Sequence, residues 1–326
     1  MAEIASTFQQ AMRLSWLRGI SSVSGSPVRT LRSWIMEDTY SFQTPPGRSM
    51  FDLFVPDVAP LIEAYASDAN RMSCSAFETI VSIAAIPELR RSLAWLAIKC
   101  YYAAFYSAHA FLRLQGISCT QLDSSEVIRI ASVAQAYGFG GSRISAGFHS
   151  VSFSPDRRSL AFRNAGKDGG GSHEALWFEF EKALAKVEDV ITASPLLADE
   201  RLPVLTKLND LRKILFNAGC RRANWLSKIR NEINYRHAHG VWFPHRSSNN
   251  INRYLDLIRT SLSIDPSQNE LDEDETLESF VKVCLFIVNV TRCTVIDMAK
   301  SHPTGDSFQS AGPMIVLQRG RLARSA

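Results

Sequence analysis

"WLAIKCYYAAFYSAHAFLRLQG" occupies positions 95–116. Followed back to residue 88, the run places Leu89, Leu93, Leu96, Cys100, Ala104, Ala108 and Phe111 at steps of three or four residues. That spacing lays side chains along one face of an α-helix. Pro87 stands where a first turn tolerates a residue without an N–H, and Gly116 where a helix commonly stops. A single long helix over 88–114 follows, apolar on one side and rich in tyrosine on the other.

The same periodicity extends outward. It predicts helices over 3–17, 57–69 and 74–86 on one side, and over 123–137, 173–193, 203–218, 221–238, 249–264 and 276–301 on the other. The stretches "VSGSPV" (23–28) and "QTPPGRS" (43–49) break the chain. The acidic "DEDE" at 272–275 suits the N-terminal end of the last helix. Between the helices, 138–173 is glycine-rich, with "HSVSF" (149–153) and "SLAFR" (159–163) flanking "SPDRR". This predicts a β-hairpin held on mobile loops and inserted into a helical core. The last segment, "GPMIVLQRGRLARSA", is expected to be loose. The expected class is mainly α: an antiparallel helical bundle with a small β-hairpin insertion and an N-terminal helical extension.

Composition narrows the function classes. At 46% hydrophobic residues the 326-residue chain can fill a substantial core and is too apolar for disorder. Its longest apolar run, "FVKVCLFIVNVTRCTVIDMA", is interrupted by Lys282 and Arg292 and reads as a core helix, with no membrane role. Cys74, Cys100, Cys119, Cys220, Cys284 and Cys293 form no CxxC pair and read as free thiols of a reducing compartment. The Ser- and Arg-rich N-terminus has the look of an organelle transit peptide, but Glu3 and Trp16 fit one poorly, and a cytoplasmic location is expected.

A net charge of +4 is too mild to imply nucleic acid by itself, but its distribution is uneven. Arg221, Arg222, Lys228, Arg230, Arg236 and Arg246 fall in one stretch with a single acid, Glu232, and with His237, His239 and His245. Such a concentration suits an anionic partner. At its centre is "RNEINYRHAHG" (230–240). If the helix runs through it, seven residues make close to two turns, so Arg230 and His237 share a face, Asn234 lies between them and Asn231 borders it. A guanidinium can stabilise a phosphate or its transition state, and an imidazole can move a proton near neutral pH. Together they suffice for RNA cleavage by the ribose 2′-oxygen. A solvated basic helix end is the simpler alternative.

"RNEINYRH" resembles the R-x(4–6)-H signature of HEPN domains, including the polar residue after the arginine, and "WLAIKCYYAAFYSAHAFLRLQG" is similar to the tyrosine- and alanine-rich first helix of many HEPN proteins. The two matches cover about a fifth of the chain. The resemblance implies an all-α bundle of four or five helices, a homodimer, and a metal-independent endoribonuclease of prokaryotic defence or toxin systems. Arg230 and His237 of two chains would meet at a composite catalytic site, with no cofactor. Asn231, Asn234, Arg236, His239, Lys228, Arg221, Arg222, Tyr102 and Tyr106 are expected to hold RNA, and a neutralising antitoxin or a defence complex is an expected partner. The alternative is a catalytically silent RNA-binding or scaffolding subunit. The resemblance places a HEPN-like core at 86–302, interrupted by 138–172, between an N-terminal extension (1–85) and a basic tail (303–326). The chain departs from the family in its length and its insertion. It also lacks a tyrosine just past His237, which puts regulation by adenylylation in doubt.

Other motifs are weaker. Lys99, Tyr102, Tyr106, His109 and Arg113 recur on one face of the first long helix, as an RNA-lining surface or as tyrosines satisfied at the bundle edge. His237, His239 and His245 lack a fourth ligand at useful spacing, so no metal is expected. "AGKDGGGS" (165–172) lacks the order of a phosphate-binding loop.

Overall fold

The computed structural model describes residues 6–25, 28–85, 92–141, 143–165, 171–242, 251–261 and 263–322. In chain order these form α1 (Thr7–Arg13), α2 (Leu31–Ile35), β1 (Met50–Phe54), α3 (Ala59–Ala85), α4 (Leu93–Leu114), β2 (Ile117–Leu122), α5 (Ser124–Ala136), β3 (Gly147–Ser154) and β4 (Ser159–Asn164). Then follow α6 (Ser172–Thr192), α7 (Ala198–Leu215), α8 (Trp225–Arg236), α9 (Ile251–Ser261), α10 (Leu277–Lys300) and α11 (Pro313–Leu322). The class is mainly α, with one antiparallel sheet in the order β1-β4-β3-β2.

The long tyrosine-bearing helix is α4, and it forms the axis of the molecule between α3, α10, α6 and α8. Ala94, Ala97, Ala103, Ala104, Ala108 and Ala110 are all fully buried. Their small side chains let neighbouring helices approach, and larger groups such as Phe111 and Phe180, edge-to-face at 5.4 Å, fill the remaining space. The helix ends as expected: Gly116 takes φ +73, and a Cβ there would lie 3.2 Å from Leu17 Cδ1. α10 is long and apolar enough to cross a membrane, but 89% of its apolar window is buried inside the fold.

A second core lies between the sheet, α2, α5 and the N-terminal half of α3. The hairpin of β3 and β4 forms with Ser154 opposite Ser159. It is not a peripheral element: Val151, Phe153, Leu160 and Phe162 are buried, and Phe162 stacks on Phe51 of β1 at 4.7 Å. β1 and β2 extend the hairpin to four strands that sequence periodicity does not reveal. β1 is only five residues long, and β2 is buried on both faces, so it lacks the alternation that betrays a strand.

Three other expectations change. The helices expected over 57–69 and 74–86 are one continuous α3, with Arg71, inside the supposed break, ion-paired to Asp68 one turn earlier. α7 begins five residues before Pro203, which lies inside the helix and not at its start. The tail is helical: α11 packs on α3 so closely that a Cβ on Gly320 would lie 2.8 Å from Val81 Cγ2. α1 rests on α10, where Arg13 forms a bidentate pair with Asp297 across 284 residues of chain. All six cysteines are free.

Candidate functional site

α8 follows a left-handed Ala223 (φ 53) and turns Trp225, Leu226, Ile229 and Ile233 into the helical core. That phase leaves Arg230 on the border of the core, facing α4 and the start of α6. Its guanidinium lies 5.3 Å from the Tyr101 ring and 5.6 Å from the Tyr102 ring, within reach of cation–π attraction. Arg230 is only 6% exposed. Nη1 donates to Asn231 Oδ1 at 2.8 Å, and Nη2 donates to His173 Nε2 at 2.9 Å. Nε is buried without a hydrogen-bond partner. No carboxylate of the described residues lies within ion-pair distance of this charge.

The Arg230 contact fixes the His173 tautomer. A guanidinium can only donate, so Nε2 of His173 accepts and Nδ1 carries the proton. Nδ1 donates to the Tyr101 hydroxyl at 2.8 Å, and that oxygen also accepts from Trp177 Nε1 at 3.1 Å. Phe105 covers the imidazole, with centroids 4.4 Å apart. Burial, and then the Arg230 charge, hold the His173 pKa down to about 4, so the ring is neutral at physiological pH. Burial pushes the Tyr101 phenol up to about 12. The chain Trp177–Tyr101–His173–Arg230 therefore aims a fixed cation and contributes no mobile proton of its own near neutral pH.

Arg230 opens onto a pocket of about 430 Å³, lined also by Ser227, Lys228, Asn231, Tyr235 and Arg236. Its carboxylates are occupied. Glu174 accepts from Asn224 at 2.9 Å and lies 3.3 Å from Arg222, and Glu232 meets His239 at 3.2 Å. What remains for a ligand is a buried guanidinium with Lys228, Arg236 and amide groups around it, a set that accepts an oxyanion.

The expected partner of Arg230 is elsewhere. α8 stops at Arg236, and His237 turns into the left-handed region (φ 49, ψ 31), its N–H closing the helix on the Glu232 carbonyl. The seven-residue spacing therefore places Arg230 and His237 on one face only in a helix that does not continue. His237 is exposed, with its ring 5.7 Å from Trp242, and it does not line the Arg230 pocket. His239 is also left-handed (φ 66). Asn234 is half-buried outside the pocket lining, and Arg221 is exposed outside it. Arg222 lies over the Phe178 ring at 4.8 Å. Of the expected tyrosines, Tyr102 reaches Arg230, whereas Tyr106 packs edge-on to Phe105. His109 and Arg113 are buried against each other outside the pocket lining, and Lys99 is exposed. His245 and Arg246 lie outside the described residues, as does most of "AGKDGGGS". Among the described residues no group of histidine, cysteine and carboxylate side chains is arranged to hold a metal.

Sequence reasoning missed His173, the imidazole that does touch Arg230. The only local signal is a histidine at the second position of an apolar helix after a glycine run. Nothing in periodicity connects it with a residue 57 positions away. Compared with known proteins, the chain matches no family model, no curated protein and no solved structure.

Proposed function

We propose that the protein binds RNA through a backbone phosphate seated on Arg230 and, as a homodimer, cleaves it as a HEPN-like, metal-independent endoribonuclease. The observation that carries the reading is the buried Arg230 guanidinium, which has no carboxylate beside it among the described residues and is held by His173 and Asn231 at the mouth of a cationic pocket. Desolvating a cation without a counter-charge is costly unless a ligand supplies one, and a phosphodiester does so. The R-x(4–6)-H resemblance of 230–237 and the tyrosine- and alanine-rich α4 support the same reading, with a role in prokaryotic defence or as a toxin.

Within one chain His173 is locked neutral against Arg230, and His237 faces away from the pocket. A proton carrier at the phosphate must then come from a second copy, whose exposed His237 is free to reach across a two-fold interface. Arg230 would stabilise the charge developing on the non-bridging phosphate oxygens while the 2′-oxygen attacks phosphorus and the 5′-oxygen leaves. Incubation with single-stranded RNA in EDTA should leave a 2′,3′-cyclic phosphate and a 5′-hydroxyl, and a DNA of the same sequence should survive. The locked His173 favours one other reading, a silent RNA-binding or scaffolding subunit. RNA that is bound through Arg230 but never cut would select it, and RNA that is not bound at all would remove both.

A further inference from the structure

Seven Asp, Glu, Lys or Arg residues are buried among the described residues: Asp68, Arg113, Glu126, Glu181, Arg230, Arg292 and Asp297. Five have an opposite charge beside them. Asp68 pairs with Arg71 and Arg113, Glu126 with Arg32, Glu181 with Arg212, and Asp297 with Arg13. The remaining two, Arg230 and Arg292, have no carboxylate within ion-pair distance, and each lines a pocket. Among the described residues the fold thus neutralises its buried charges except at two openings.

Arg292, on α10, is 8% exposed. Its Nε donates to Asn289 Oδ1 at 3.0 Å and its Nη2 to the Ile264 carbonyl at 3.1 Å. Asn289 is fixed in turn, donating to the Ile264 carbonyl at 3.1 Å and to Asn269 Oδ1 at 2.9 Å. These acceptors orient the guanidinium without cancelling its charge. No acceptor among the described residues takes up Nη1. The adjoining pocket, about 400 Å³, is bounded by α1, α10, α11 and the segment after α9. Ile264, Ile296, Met314 and Leu317 form an apolar wall, while Asp265, Lys300 and Gln318 also line the space. Arg292 and Lys300 set against Asp265 leave the pocket lining one net positive charge, and the free edge of Arg292 suits one negative charge better than two. The apolar wall requires an organic body behind that charge.

We infer that this pocket, formed around Arg292 and distinct from the Arg230 site, binds a small organic monoanion: a carboxylate with an apolar body. Its position between α1, α10 and α11 lets the ligand clamp three helices from distant parts of the chain.

The test uses full-length protein carrying 13C-methyl methionine, with the Met314 resonance assigned by its loss in Met314→Leu. Benzoate and octanoate are the probes, benzyl alcohol the neutral control and inorganic phosphate the anionic control. Benzoate or octanoate should shift Met314 saturably, and benzyl alcohol should not. The carboxylate should bind more than about tenfold more weakly to Arg292→Gln, which removes a charge-assisted hydrogen bond. In case Arg292→Gln disturbs the segment after α9, Leu317→Trp fills the pocket without touching the guanidinium and should abolish the shift. Arg230→Gln should leave it unchanged. The site is refuted if neither carboxylate shifts Met314, if benzyl alcohol does so equally, or if the shift survives Leu317→Trp. A response to phosphate but to neither carboxylate would overturn the ligand class.

Discussion

Arg230 carries both the functional reading and a stability argument. A buried cation without a carboxylate burdens the folded state, and binding sites commonly carry such burdens. Arg230→Met should therefore weaken RNA binding by at least about tenfold while leaving stability within about 1 kcal/mol of wild type, or raising it. Trp225→Ala, one turn before it on the core face, should cost about 3–5 kcal/mol. Denaturant melts beside RNA titrations check the pair; parallel losses of stability and binding in Arg230→Met would make that residue structural. His173 gives a second test. His173, His109 and His149 are all held below the usual imidazole range, mainly by burial, so they stay neutral in the fold and protonate near pH 6.5 when unfolded. The unfolded chain then binds more protons below that pH. Stability is full above about 6.5 and falls as the pH is lowered toward His173's value of about 4. Urea midpoints should drop between pH 7 and pH 5, and His173→Gln should flatten part of the slope. At this scale Arg230 stands out in the sequence as a candidate because the pattern around it is local. The geometry around it could not: His237 depends on where α8 stops, and His173 depends on a tertiary contact.

Among the elements, the sequence pattern reveals those with a period to show. α4, α5, α6 and α10 appear close to their expected positions because each buries one stripe or is apolar throughout. β1 and β2 escaped because strands this short, or buried on both faces, have no distinctive alternation. α11 escaped because its polar residues and glycine resemble a tail, although that glycine, Gly320, permits its close approach to α3. Two substitutions test these assignments. Phe162→Ala removes the stacking partner of Phe51 from the sheet core and should cost about 3–5 kcal/mol in a denaturant melt, a loss that a peripheral hairpin would not show. Gly320→Leu should lever α11 off α3, because even a Cβ would stand 2.8 Å from Val81 Cγ2. Faster hydrogen exchange over α11 and the C-terminal half of α3 is the expected readout, with the sheet unaffected.

For the whole molecule, the dimer reading makes a prediction about mixtures. If Arg230 of one copy works with His237 of the other, Arg230→Ala and His237→Ala homodimers are both dead, but a mixed dimer regains one intact site. Refolding the two variants together should restore about a quarter of wild-type cleavage by random pairing of a two-fold dimer. No restoration, or light scattering from a monomer at all concentrations, would remove the composite site. The contact between α1 and α10 also bears on how the protein is made. Arg13 meets Asp297 only after the 284 residues that separate them have been synthesised. At cellular elongation rates this leaves Phe8 without Phe286, its edge-to-face partner on α10, for roughly 15–60 s on the ribosome, although α6 and α7, which also pack on α1, are made earlier. Each nascent chain therefore spends much of its synthesis with α1 incompletely covered, an apolar surface of the kind that chaperones hold.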